Sequence, residues 1–139
     1  MNVLIIDGQG GNLGAQLVKE IQSAFCDLDL TVIGTNAVAT AAMLKAGAKK
    51  AATGENPVVV ACRRADVIIG PIGIVIADSL LGEVTEKMAL AVARAEAVRI
   101  LIPMNKCENL VAGFQSVNTA SLISDAIAKL ERIVKGENR

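Results

Sequence analysis

Short apolar runs alternate with segments of helical periodicity along the whole chain. A short apolar run is typical of a strand buried on both faces of a parallel sheet. Such runs predict five strands, over residues 2–7, 29–34, 49–53, 66–70 and 97–102. The segments between them carry apolar residues three and four positions apart, as a helix requires to bury one face. They predict helices over residues 13–25, 36–46, 57–65, 78–95 and 119–135.

Several residues mark the ends of these helices. Gly47 is in the position where a helix commonly stops. Asn56 before Pro57 is a good helix start, because the asparagine can cap and the proline needs no donor there. Glu83 and Lys87 are four residues apart in the favourable order for an ion pair within the helix over 78–95.

Alternation of strands and helices predicts an α/β fold in a single domain, residues 1–139. With right-handed crossovers this is a three-layer, Rossmann-like, doubly wound parallel sheet, most simply in the order 3-2-1-4-5. A sixth strand over residues 110–114 is a further option. Since only about seven residues separate it from the fifth strand, it would run antiparallel at an edge.

Composition excludes several classes of function. The chain has 14 basic and 14 acidic residues, so it has no excess positive charge to hold a nucleic-acid backbone. It has two Phe and neither Trp nor Tyr, which also argues against base stacking. Histidine is absent, so no imidazole is available as a base or as a metal ligand. We therefore expect no nucleic-acid partner.

The cysteines and the apolar segments bear on the compartment. Cys26, Cys62 and Cys107 form no C-x-x-C pair, and their spacing indicates neither a disulfide framework nor a zinc site. No apolar segment reaches the roughly 20 residues that a membrane-spanning helix needs. We expect a cytoplasmic protein without a membrane partner. Its 53% hydrophobic content favours a homo-oligomer that hides part of the surface.

Glycine and small polar residues are concentrated where the predicted strands end. In an open α/β sheet the ligand crevice lies beyond these carboxyl ends, at the point where strand order reverses. The residues that we expect to bind a ligand are Asp7, Gly8, Gln9, Gly10, Gly11, Asn12, Gly14, Thr35, Asn36, Thr53, Gly70, Pro71 and Gly73.

The first of these loops has the spacing G-x-G-x-x-x-G, a looser relative of the dinucleotide pattern, because Leu13 stands where the third glycine belongs. Its glycines let the backbone approach a ligand, and the following helix begins with unpaired N–H groups that favour an anion. The acidic residue expected after the second strand, to hold a ribose, is missing. The pattern predicts phosphate binding, with a nucleotide or dinucleotide as one option. A purely structural turn is the alternative.

Three carboxylates are candidates for acid/base catalysis or for binding Mg²⁺: Asp7, Glu55 and Glu83. Asp7 has a competing role, since it could accept N–H groups of its own glycine turn. Glu83 has one in the helix, as an N-terminal charge paired with Lys87. Cys107 beside Lys106 is a weaker nucleophile candidate because no histidine is present as its base. No metal site is assigned.

Four segments together resemble one family. They are residues 3–11 (VLIIDGQGG), 53–56 (TGEN), 66–73 (DVIIGPIG) and 81–85 (LGEVT). The family comprises short bacterial proteins of uncharacterised function that open with a D-G-Q-G-G segment. The resemblance implies that these segments belong to a family pattern, and it brings neither an activity nor a catalytic residue.

Three hypotheses of function follow from the sequence. The first is a Rossmann-like module that binds a nucleotide or another phosphorylated small molecule at the glycine-rich loop. The second is an enzyme that uses the same cleft with carboxylate or Mg²⁺ chemistry. The third is a structural or regulatory homo-oligomer in which the glycine loops only pack.

Overall fold

A five-stranded parallel sheet forms the centre of the computed structural model, which describes residues 1–104 and 109–137. Its strands are β1 (Asn2–Asp7), β2 (Asp29–Gly34), β3 (Lys50–Thr53), β4 (Val67–Pro71) and β5 (Val98–Ile102). The helices are α1 (Asn12–Ala24), α2 (Ala37–Lys45), α3 (Glu55–Cys62), α4 (Glu86–Arg94) and α5 (Thr119–Val134). The strand order is β3-β2-β1-β4-β5, which confirms the predicted α/β class and topology.

β1 is the central strand and the point where the strand order reverses. It pairs in parallel with β2 along its whole length, ending with Asp7 beside Gly34. On its other side it pairs with β4, where Ile5 lies beside Ile69. The chain therefore leaves β1 at the switch point, where open α/β sheets bind ligands.

Each face of the sheet buries its own core, so the predicted three layers are present. On one face, Val3 and Ile5 of β1 pack with side chains of α1, α2 and α5 such as Leu17, Met43 and Leu130. On the other face, residues of β1 and β4 pack with side chains of α3, α4 and the segment between β4 and α4. Burial on both faces explains why the two central strands, β1 and β4, are apolar at nearly every position.

The helix predicted over 78–95 is wrong in its first half, because α4 begins only at Glu86. A 3-10 helix, Ile72–Val75, follows β4. Residues 76–85, here called the strap, then cross the carboxyl edge of the sheet. Four strap residues have positive φ, which a right-handed helix does not allow: Asp78 (65°), Leu80 (55°), Leu81 (56°) and Gly82 (88°). Thr85 caps α4 instead, accepting a hydrogen bond from the Met88 amide at 3.2 Å.

Two smaller expectations are also corrected. α3 begins at Glu55 with Gly54 as its cap, so Asn56 is a helical residue and not the cap. Residues 110–114 form no strand. Gly113 has φ +81°, and the Phe114 amide donates to the Val111 carbonyl in a turn.

Among the described residues, no helix is both long enough and apolar enough to cross a membrane.

Candidate functional site

Asp7 fastens the glycine-rich loop to the first turn of α1. Its Oδ1 accepts the Gly8 amide at 2.8 Å, and its Oδ2 accepts the Gly14 amide at 2.7 Å. The side chain is only 6% exposed. Burial raises the pKa of Asp7, the Gly14 and Gly8 amides lower it, and the charge of Glu83 raises it again; the net shift is upward. Both carboxylate oxygens are thus already engaged inside the protein.

The loop itself is a tight turn between β1 and α1. The Gly11 amide donates to the Gly8 carbonyl at 3.0 Å, and Gln9 (φ 50°) and Gly11 (φ 76°) have positive φ. At Gly11 the requirement for glycine is twofold, because a Cβ would also lie 2.7 Å from the Ala39 Cα.

Three amides of this loop and of the start of α1 remain available. The N–H groups of Gly10, Asn12 and Leu13 donate to no group in the described part of the chain. Gly10 and Asn12 are exposed. Because these amides open a helix of 13 residues, the positive end of its dipole lies with them. The arrangement can accept an anion.

Glycines of the loop differ in what surrounds them. A Cβ on Gly8 would lie 2.5 Å from the Thr35 hydroxyl, and one on Gly14 would lie 2.5 Å from the Met43 sulfur. No atom of the described residues lies within 4 Å of such a Cβ on Gly10, and the φ of Gly10 is not positive. Neither space nor backbone conformation inside this chain therefore demands glycine at position 10.

Glu83 of the strap joins the two loops that follow β1 and β2. Its Oε1 accepts the Gln9 amide at 2.9 Å, the Thr35 hydroxyl at 2.7 Å and the Asn36 side-chain amide at 2.6 Å. Burial by itself would raise the pKa of Glu83, but these three hydrogen bonds lower it below its ordinary value. Glu83 is therefore ionised at neutral pH and lies directly over the glycine loop.

Asn36 connects this network to α2. Its Oδ1 accepts the Ala39 amide at 2.8 Å and so caps the helix, while its Nδ2 donates to the Gln9 carbonyl at 3.0 Å as well as to Glu83. Asn36 thus caps α2 and at the same time hydrogen-bonds to Gln9 and Glu83.

The segment expected as a loop after β4 is the last part of the strand, with Gly70 and Pro71, followed by the 3-10 helix with Gly73, and it is closed by packing. Gly70, Pro71 and Gly73 are all buried. A Cβ on Gly70 would lie 2.3 Å from the Ile6 carbonyl oxygen, and Gly73 accepts the Ser79 hydroxyl at its own carbonyl oxygen. This segment supports the sheet and the strap from beneath.

Two predicted residues lie apart from this network. The Thr53 hydroxyl is 2.7 Å from the Thr40 hydroxyl, which also donates toward carbonyl oxygens of Asn36 and Ala52. Glu55 stands in the first turn of α3, beyond the third strand. The structure brings Asp7 and Glu83 together, whereas within the described residues no hydrogen bond or ion pair joins Glu55 to them. Lys106 and Cys107 lie outside the described residues.

Metal chemistry receives no support from the carboxylates. Within residues 1–104 and 109–137, no three acidic or cysteine side chains are grouped as a metal ion would need.

The placement of Glu83 differs from the prediction. It was predicted within a helix, and its pairing with Lys87 required that helix, yet it precedes α4. The contact of Glu83 with Gln9 spans 74 residues of sequence, and no local pattern indicates it.

A cavity lies at the opposite edge of the sheet. It has a volume of about 1000 Å³ and is bordered by the ends of α3 and α4, including Arg63, Arg64 and Arg94. Asp66, Glu96 and Glu137 border it too, so its charges balance. We place the site at the carboxyl edge because the unpaired amides and the engaged carboxylate are found there.

No curated protein matches the sequence. Among solved structures, a dodecameric FMN-dependent UbiX-like decarboxylase from Escherichia coli O157:H7 is similar at 12% identity and a TM-score of 0.45, over 93% of this chain and 94% of that one. The model of one protein family matches residues 2–135, and the chain therefore belongs to the family described as "Domain of unknown function (DUF3842)".

Proposed function

We propose that this protein binds a phosphorylated small molecule at the carboxyl edge of its sheet. The phosphate group would accept hydrogen bonds from the amides of Gly10, Asn12 and Leu13. The observation that carries the proposal is that these three donors, at the start of a long helix, have no partner in the described part of the chain. Helix N-termini of this kind bind phosphate through unpaired N–H groups and the helix dipole.

The surroundings of these amides support the proposal. Asp7 holds the loop against α1 from inside, so the outward amides need not reorganise when a ligand arrives. Gly10 leaves open space where a side chain would stand, and it is next to the exposed Gln9. A preformed, accessible set of donors lowers the cost of binding.

Catalysis is not part of the proposal. Asp7 uses both carboxylate oxygens on loop amides, and Glu83 uses one oxygen for three donors. Neither arrangement leaves a carboxylate pair for acid/base work or for Mg²⁺.

An architectural role is the second candidate, and one observation favours it. Gly8, Gly11 and Gly14 are all required by packing, so most of the glycine pattern is explained without a ligand. Under this hypothesis Gly10 is incidental and no phosphorylated compound binds.

A thermal-shift titration separates the two candidates. Inorganic phosphate, ribose 5-phosphate, AMP and NAD are each added to the wild type and to Gly10→Val. We expect at least one compound to stabilise the wild type; at 100 times its Kd the gain is about 2.7 kcal/mol, or roughly 8 °C. Gly10→Val should remove that shift while keeping the midpoint of the free protein nearly unchanged.

The matched control is Ala128→Val, which adds a similar side chain at an exposed position of α5. This variant should keep the full shift. If no compound moves the wild-type midpoint at millimolar concentration, or if Gly10→Val responds as Ala128→Val does, the binding proposal is wrong.

Homo-oligomerisation belongs to the proposal as a separate part. Two large apolar side chains lie exposed near the same edge: Val38 at the start of α2 is 67% exposed, and Leu81 on the strap is 95% exposed. We expect a second copy to cover them. Light scattering after gel filtration should show an oligomer, and Leu81→Ser should reduce its mass to that of the monomer. A monomeric wild type would contradict this part alone.

A further inference from the structure

We infer that the open edge of β5 binds an extended, acidic segment of a partner protein, which adds a strand to the sheet. β5 is two strands away from β1 in the sheet, so the inference goes beyond the proposed function and does not depend on it. Three features of this edge support it: unpaired backbone groups, a groove beside them and an excess of positive charge.

The outer edge of β5 presents backbone groups that pair with nothing in the described part of the chain. β5 ends the strand order, and within residues 1–104 and 109–137 no strand lies beyond it. The Val98 amide donates to the Asp66 carbonyl at 3.0 Å, on the β4 side. Because successive amides of a strand alternate in direction, the N–H and C=O groups of Arg99 and Leu101 point outward. An incoming strand would meet two donors and two acceptors.

A groove of about 450 Å³ runs beside this edge, between β5 and α5. Its apolar border includes Val98, Leu122 and Ile133, each of them half-buried. In an added strand, every second side chain points to the same face of the sheet, and the groove can receive these side chains. Strand addition takes its affinity from main-chain hydrogen bonds and its specificity from such pockets.

The opposite edge of the sheet is protected in a way that β5 is not. β3 has only four residues, and its Lys50 forms an ion pair with Asp29. Short strands and lysine side chains commonly prevent an edge from pairing. β5 has five residues, of which only Arg99 is polar. Residues 110–114, the candidate for a sixth strand, form a turn instead and do not extend the sheet.

Arg99 places an unneutralised positive charge on this edge. No carboxylate pairs with it within the described residues. Its Nη1 donates instead to three carbonyl oxygens where α4 ends, those of Val92, Ala95 and Ala97. Opposite charges that face each other across two strands attract, so an acidic side chain opposite Arg99 stabilises an added strand.

The groove as a whole has the same sign of charge. Its cationic side chains outnumber the acidic ones by three to one: Arg99, Lys129 and Arg132 against Asp125. Lys129 already pairs with Asp125, so Arg99 is the cation that meets the added strand. The partner segment should therefore alternate apolar and polar residues and carry a carboxylate.

A second copy of this chain fits the edge less well than an acidic segment does. Two β5 strands related by a two-fold axis run antiparallel. A register centred on Arg99 places the two arginines opposite each other, and one centred on Ile100 makes them diagonal neighbours, roughly 7–8 Å apart. Both registers bring like charges together. A register centred on Leu101 places Arg99 opposite Pro103, which has no N–H to donate.

The probe is the peptide TVTVEVT, acetylated and amidated at its ends. In the antiparallel alignment that places its glutamate opposite Arg99, its valines face the groove. TVTVKVT is the control for charge. TVTVEVT with a methyl group on the glutamate nitrogen is the control for strand addition, because it cannot donate to the Arg99 carbonyl.

Amide NMR titration of the full chain measures binding of the three peptides. We expect TVTVEVT to bind with a Kd below about 1 mM and to shift the Arg99 and Leu101 amides most. TVTVKVT should bind about fivefold more weakly, and the methylated peptide at least about tenfold more weakly. The Arg99 and Leu101 amides should exchange with solvent rapidly in the free protein and slowly in the complex.

Arg99→Glu tests the same contact from the side of the protein. This variant should reverse the preference and bind TVTVKVT about fivefold more tightly than TVTVEVT. Lys45→Glu, the same reversal of charge at an exposed position of α2, should keep the wild-type preference. Circular dichroism checks that both variants are folded, and the three peptides decide the question on the wild type alone if Arg99→Glu is not.

Several results would overturn the inference. One is that TVTVEVT does not bind at about 1 mM, and another is that the three peptides bind equally well. Slow exchange of the Arg99 and Leu101 amides in the free protein would mean that the edge is already covered. If light scattering then shows that TVTVEVT lowers the mass of the protein, the cover is a second copy. None of these results bears on the proposed phosphate site after β1.

Discussion

Two glycine-containing segments lie at the carboxyl edge of the same sheet, and their glycines have opposite surroundings. The loop after β1 has Gly10 in open space and three N–H groups without a partner in the described chain. The segment around the end of β4 has Gly70 (in the strand) and Gly73 (in the 3-10 helix) buried, with Gly70 against the Ile6 carbonyl and Gly73 beneath Ser79. In the first segment, Gly10 leaves the backbone exposed. In the second, both glycines allow other parts of the chain to pack closely against the backbone.

The contrast shows that glycine content alone does not mark a binding loop. What distinguishes the loop after β1 is that a helix of 13 residues starts directly from it, whereas a 3-10 helix of four residues follows β4. Only the former has a run of first-turn amides and a substantial dipole. The strap then covers the second loop and half of the first, up to Gly8.

The largest effect on stability should come from replacing one glycine of each segment with alanine. Gly70→Ala places a Cβ 2.3 Å from a backbone oxygen of the central strand, so we expect a loss of about 3 kcal/mol in the free energy of unfolding. Gly10→Ala meets no atom of the described residues within 4 Å and should change the free energy of unfolding by less than about 0.5 kcal/mol. Urea denaturation measures both. Equal losses in the two variants would erase the distinction between an open and a closed loop.

An intermediate loss of stability should follow from removing the hydrogen bonds that join the loop after β1 to the start of α2. Asn36→Ala removes the cap of α2 and the hydrogen bonds to Gln9 and Glu83, which we expect to cost about 2 kcal/mol. Asn118→Ala is the control, because within the described residues the Asn118 side chain bonds only to the Ser121 amide, as the cap of α5; its loss should be about 1 kcal/mol. Equal losses, measured by urea denaturation, would mean that the contacts of Asn36 across the loop add nothing.

The smallest effect concerns the charge of Glu83 and depends on pH. Its lowered pKa means that the carboxylate stabilises the fold above the pKa of an unfolded glutamate, about 4.3, and loses this contribution as the pH falls through the folded pKa. Wild type should exceed Glu83→Gln by about 1 kcal/mol at pH 7, with the difference shrinking toward pH 3.

Asp7 acts with the opposite sign, since its raised pKa removes stability as the pH rises through it. The two proteins that are compared, wild type and Glu83→Gln, both contain Asp7. Denaturation midpoints at several pH values provide the data. A difference that grows toward acid pH would show that Glu83 is not stabilised in its ionised form.

Much of the fold was predictable because its signals are local. The apolar runs located all five strands within a residue or two, and their alternation with helices led to the order 3-2-1-4-5. The start of α4 was missed because Leu80, Leu81, Val84 and Met88 have helical spacing. Gly82 and the capping Thr85 were the contrary signals. They prevailed because Leu80 and Val84 of the strap pack into the same core cluster as Ile68 of β4. Leu110 and Phe114 suggested a strand, but Gly113 turns the chain there.

The site was predictable only in part. Asp7, Gly10, Thr35 and Asn36 were expected at the carboxyl edge because the strand ends place them there. That the oxygens of Asp7 bind Gly8 and Gly14 was one of two alternatives considered. The meeting of Glu83 with Gln9 and Thr35 depends on how the strap crosses the sheet, a tertiary contact over 74 and 48 residues that no spacing reveals.

The most direct test of the central claim is an amide NMR titration of the wild type with ribose 5-phosphate. The account predicts that the resonances of Gly10, Asn12 and Leu13 move most and saturate with one dissociation constant, while the amides of Gly8 and Gly14, bound to Asp7, move little. Gly10→Val should show no such change. If the three amides stay still while the ligand binds elsewhere, or if Gly8 and Gly14 move as much as they do, the glycine loop after β1 is not the binding site.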